Sequence, residues 1–119
     1  MLNQTKSILK GKKIIGYGAG LAALATLRKS ELIPEFFIDD TIKTPDQNLN
    51  GIKIFDFDKI YEIDKNKYVI IIFSYNPTAI IEITKKLVIL GYIFNKDIID
   101  CSLLHYRIYE SRLIRYFNL

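Results

Sequence analysis

The sequence predicts a single open α/β sheet of about five parallel strands in the order 3-2-1-4-5, with helices on both faces and an extra C-terminal helix. Three observations predict it. Short β-branched apolar runs alternate with helix-forming stretches, which implies parallel pairing through right-handed crossovers. Residues 68–73, Tyr-Val-Ile-Ile-Ile-Phe, are apolar on both faces, as a strand covered from both sides must be. A glycine cluster, Gly16, Gly18 and Gly20, falls between the first apolar run and the first helix-forming stretch, where a tight turn has to reverse the chain.

Taken in order, residues 12–17 give the first strand and residues 21–28 the first helix. Residues 35–38 give a second strand that ends on Asp39 and Asp40, and the polar residues 41–50, with Pro45 among them, read as a surface loop. Residues 51–54 alternate weakly and predict a short edge strand. Phe57, Ile60 and Tyr61 then recur at helical spacing over 56–63. The central strand, bounded by Asn66-Lys67 and Asn76-Pro77, feeds a helix from Pro77 or Thr78 to Leu90, with proline in its first turn and Gly91 at its end. Residues 97–101 predict the last strand. Residues 103–117 predict a final helix with Leu103, Tyr106, Leu113 and Phe117 on one side.

Length and composition bound the function. At 119 residues, half of them hydrophobic, the chain has room for one domain over 1–119, with a core of about 11–101, and none for separate cofactor and substrate domains. The formal charge of +4 is spread over basic residues interleaved with Asp and Glu; no dense basic run marks a nucleic-acid footprint. A lone cysteine precludes an internal disulfide, and no apolar stretch serves as a signal peptide or approaches the roughly 20 residues that span a bilayer. The expectation is a cytoplasmic protein without membrane insertion.

In open parallel sheets, ligands bind beyond the carboxyl ends of the strands where the winding reverses, here between the first and fourth predicted strands. That selects residues 17–23 and 74–78. The best dinucleotide frame is Gly18-Ala19-Gly20-x-x-Ala23: Gly18 for the tight turn, Gly20 for close approach of a phosphate, and Ala23 for helix packing against the strand. Gly16 lies just upstream. Asp39 follows Gly18 by 21 positions, the interval at which a carboxylate meets ribose hydroxyls, so Asp39 or Asp40 is expected on a ribose, disfavouring a 2′-phosphate. Ser74 and Asn76, flanking Tyr75, offer a hydroxyl and an amide across the crevice. The same residues also fit a role confined to turns, close packing and caps.

No catalytic residue emerges. Ser74 has no evident base beside it, Cys101 reads as a small buried hydrophobe, and the single histidine, His105, lacks companions for a metal site. Arg107, Arg112 and Arg115 read as surface residues of the last helix. Its apolar side, with Tyr106, Tyr109 and Tyr116, either packs on the sheet or forms a homodimer interface.

The stretches GKKIIGYGAGLAAL, EFFIDDTIKTPDQNLNGIKIFDFDKI and YVIIIFSYNP resemble a Rossmann-like module of bacterial surface-sugar biosynthesis. Such modules form the N-terminal domains of sugar O-acyltransferases and the C-terminal domains of sugar C-methyltransferases. They are similar to CoA-binding and nucleotide-sugar-binding domains. The resemblance covers roughly residues 11–101 and implies a nucleotide or nucleotide-sugar over Gly18, Gly20 and Asp39, with NAD or a nucleotide-sugar as cofactor class. The β-helix repeats and the S-adenosylmethionine domain of those relatives are missing from this sequence, so a separate catalytic partner subunit is expected. Two other readings stay open: a small enzyme using NAD or a nucleotide-sugar directly, and a non-binding scaffold that oligomerises through its last helix.

Overall fold

A computed structural model describes residues 11–29, 32–41 and 47–101. β1 (Lys13–Tyr17) leads into α1 (Leu21–Lys29), β2 (Phe36–Ile38), β3 (Asn48–Leu49) and β4 (Ile52–Phe55). Two 3-10 helices, Phe57–Glu62 and Lys65–Lys67, precede β5 (Tyr68–Ile72), α2 (Pro77–Ile89) and β6 (Ile98–Asp100). The strands form one sheet in the order β3-β4-β2-β1-β5-β6. β1 pairs in parallel with β2 and β5, β4 with β2, and β6 with β5. The predicted final helix over 103–117, and the dimer interface assigned to it, lie outside the described residues.

Cover on both faces explains why β5 is apolar throughout and β1 is apolar after Lys13. Ile15, Tyr17, Ile70 and Ile72 face one side, where Leu87 of α2 and Ile60 of the first 3-10 helix complete a buried cluster. Val69, Ile71 and Phe73 face the other, against Ala22 and Ala23 of α1. Each fully buried large apolar side chain contributes about 1.5–3 kcal/mol of transfer free energy. Small alanines on α1 let that helix lie close to the sheet. Asn76 caps α2 by accepting the Thr78 N–H at 3.0 Å, and the helix ends where Gly91, at φ +95°, turns the chain so that the Tyr92 N–H reaches the Leu87 carbonyl. Among the described residues no helix is long and apolar enough to cross a membrane.

Two expectations are corrected. The sheet has six strands in place of five and is mixed, because β3 pairs antiparallel with β4 through Asn48 opposite Lys53 and Leu49 opposite Ile52. Residues 51–54 are consequently not the edge, and the expected loop over 41–50 contains a strand. The cause is Asn50-Gly51, with φ of 52° and 81°, a two-residue connection with both central residues at positive φ, for which Asn-Gly is the preferred pair. The second correction is local: the helical periodicity over 56–63 folds as a 3-10 helix that starts at the Asp56 cap, two turns at most before Asp64 caps the next one.

Gly51→Ala places a Cβ in the left-handed region, at a cost of about 1–2 kcal/mol. The urea midpoint should fall accordingly, while Asn48→Ala, which removes only the acceptor for the Gly51 N–H, should cost less.

Candidate functional site

The crevice forms where β1 stops between its two neighbours. The Gly18 N–H donates to the Ile38 carbonyl at 2.7 Å, and the Phe73 N–H donates to the Tyr17 carbonyl at 2.8 Å. Gly18 adopts φ +100°, and a Cβ there would sit 2.7 Å from the Phe73 carbonyl oxygen; both the angle and the space demand glycine. Gly16 is a packing residue, since a Cβ there would meet the Phe37 ring at 2.4 Å and the Phe73 ring at 2.8 Å.

Gly20 differs from both: a Cβ added there meets nothing within 4 Å. Its carbonyl accepts the first α1 bond, from Leu24 N–H at 3.1 Å, which makes Gly20 the residue that leads the helix and leaves that end without a capping side chain. The amides of Gly20 through Ala23 belong to a first turn with no intrahelical partner. Asp56, Asp64 and Asn76 cap the other described helices with side-chain oxygens. Ala23 is buried against the sheet, in the packing place assigned to it.

The two carboxylates separate onto opposite faces. Asp39 Oδ2 accepts the Ala19 N–H at 2.9 Å, and Oδ1 accepts both the Thr41 N–H at 2.8 Å and the Thr41 hydroxyl at 2.6 Å. Burial acts to raise the Asp39 pKa, but these three hydrogen bonds together outweigh it and hold the carboxyl below its usual 3.8. Asp40 turns the other way. It accepts the Tyr17 hydroxyl at 2.7 Å and pairs with Lys86 Nζ at 3.1 Å, while Lys86 also donates to the Tyr17 oxygen at 3.2 Å and lies 4.1 Å from the Phe57 ring centroid. Burial first, then the bond to Asp40 and the two aspartate charges, push the Tyr17 phenol far above its ordinary value, so it stays a donor.

A cavity of about 280 Å³ is lined by Tyr17, Gly18, Ala19, Gly20, Asp39, Asp40, Thr41, Phe73 and Ser74, with Ala79 and Ile83 of α2. A second, of about 260 Å³, shares Ala19, Asp39 and Thr41 and adds Gln47, Asn48 and Ile54. Of the residues singled out from sequence, Gly18, Ala19, Gly20, Asp39, Asp40 and Ser74 thus meet in one place. Gly16 and Ala23 support it from beneath. Asn76 stands on the far loop with its Oδ1 committed to capping, and Ser74 Oγ accepts the Asn76 N–H at 3.1 Å.

Cys101 is buried, its thiol 3.6 Å from the Ser74 carbonyl, and burial pushes its pKa up to about 11; it is not a nucleophile at neutral pH. His105 lies outside the described residues, among which no cluster of three or more metal-ligating side chains occurs. Sequence reasoning missed Thr41 and Lys86 and gave Tyr17 no role beyond its place in the loop over 17–23. Thr41 was legible as the third residue of an Asp-x-Thr turn; Lys86 was not, being 46 positions from Asp40.

Asp39→Asn should destabilise the fold by about 1.5–3 kcal/mol at neutral pH, the range for hydrogen bonds to a charged group. With the folded pKa below 3.8, the charge contributes fully above that value and the contribution is lost as the pH falls through the folded pKa. In urea unfolding followed across acid pH, the gap between the variant and the parent should therefore narrow below pH 3.8. Comparison with family models, curated proteins and solved structures gives no significant match.

Proposed function

We propose that the crevice binds a nucleotide or nucleotide-sugar, as a cytoplasmic module of bacterial surface-sugar biosynthesis that works with a separate catalytic subunit. The observation that carries the reading is the open N-terminus of α1. Gly20 leads the helix without a side chain of its own to cap the first-turn amides, at the switch point between β1 and β5, and the helix dipole favours negative charge there. A phosphate at Gly20 would supply the missing acceptor.

The carboxylate of Asp39 supports the nucleoside end. It has about four acceptor directions, of which Ala19 and Thr41 use three. The remaining one, on Oδ2, suits a ribose hydroxyl donor and repels a 2′-phosphate. Gln47 and Asn48 line the adjoining cavity and suit the polar edge of a base. The assignment to surface-sugar chemistry and the partner subunit both rest on the sequence resemblance. NAD and nucleotide-sugars are the ligand classes that combine these features.

Thermal melting with NAD, NADP, UDP- and GDP-sugars, CoA and S-adenosylmethionine tests the reading. A ligand present at 100-fold its Kd stabilises the fold by about 2.7 kcal/mol, a shift of several degrees. In Gly20→Asp the new side chain enters open space and caps α1 with a carboxylate, so the variant should melt like the parent yet lose the response. An undiminished response would remove the glycine loop from the site, and no response from the parent to any of these ligands would overturn the reading.

A further inference from the structure

The end of the sheet away from the crevice holds a cavity of about 600 Å³, near the starts of β1 and β5, rimmed by Lys13, Lys53, Lys59 and Lys67 and floored by Phe36, Phe55 and Tyr68. Its lining carries four lysines against the three carboxylates Glu35, Glu62 and Asp64, an excess of one positive charge. Glu35 is committed to Lys13 at 3.4 Å and to the Tyr68 hydroxyl at 2.6 Å, Glu62 to Lys59 at 3.2 Å, and Asp64 to the Asn66 N–H at 3.0 Å. Among the described residues Lys53 and Lys67 form no ion pair.

The arrangement of Lys53 and Lys59 is more telling. Their ammonium groups lie 5.0 and 4.5 Å from the centroid of the same ring, that of Phe55, and Lys59 also lies 5.7 Å from Phe36. The ring quadrupole draws each cation in, while Glu62 pairs with Lys59 and the Glu35 charge also acts on it. The Lys59 side chain is 27 % exposed, so part of the entropy cost of fixing it is already met. Two ammonium groups on one aromatic ring, that of Lys59 held by a largely covered side chain, form beside low-dielectric walls a site that gains from an anion.

We propose that this groove binds a multiply charged anion of the phosphate-ester or polyphosphate class through Lys53, Lys59 and Lys67. Lysine serves such ligands as a point charge without demanding bidentate geometry, and three separated ammonium groups match several charges better than a single carboxylate. The groove shares no lining residue with the crevice or its adjoining cavity.

Pyrophosphate titrated into the full chain at low ionic strength, followed by amide NMR, tests it. Saturable shifts are expected at residues 53–55, 59, 67 and 68, with affinity at least tenfold weaker in a Lys53→Gln/Lys59→Gln double variant. Lys67→Gln, at an exposed position with no ion pair, serves as a second variant should the double one fail to fold, and it should also weaken binding. Shifts confined to residues 18–23, a non-saturating drift at the groove, or an affinity unchanged in the folded variants would overturn the proposal.

Discussion

The architecture around the crevice depends on how closely the chain passes the Phe73 carbonyl when β1 ends. Gly18 has to bond back to β2, clear the backbone of β5 and turn at a positive φ in a single residue. Once that is met, α1 starts three residues later, at Leu21. The Ala19 N–H is thereby presented to Asp39, and the remaining first-turn amides to the gap. Position of the helix, orientation of the carboxylate and existence of the cavity are three outcomes of one steric constraint.

The Asp39-Asp40 pair shows how an alternating backbone assigns different work to identical neighbours. Asp39 is held to the glycine loop by hydrogen bonds from one side of the sheet, and Asp40 is anchored to α2 through Tyr17 and Lys86 on the other. The second aspartate acts as a fixed post for the first: with its carboxylate tied to a buried phenol and a lysine, the dipeptide is held against rotation. A site built this way is preorganised on rigid elements, which lowers the ordering cost of binding.

Much of this was legible in the sequence because it rests on local rules. The all-apolar run at 68–73, the glycine cluster after β1, the proline and glycine at the two ends of α2 and the acidic end of β2 each obey a short-range requirement, and each stands where that requirement puts it. Gly16 shows the limit: its spacing suits a ligand loop, but its role depends on Phe37 and Phe73, residues distant in sequence. The Tyr17–Asp40–Lys86 cluster was hidden for the same reason. β3 was missed although its signal was present, because Asn50-Gly51 was split between a loop ending at 50 and a strand beginning at 51, and residues 41–50 hold too few apolar residues to read as a strand.

That small hairpin does more than lengthen the sheet. By laying a two-residue strand outside β4, it pairs Ile52 and Lys53 of that four-residue strand and, among the described residues, leaves an outer edge of only a rung or two. β6, at the opposite margin, is three residues long. A sheet bordered by such short rims gives an incoming extended chain little to zip against. Among the described residues, an apolar, β-branched centre of the kind that fuels fibril growth is thereby flanked by strands too short to propagate it.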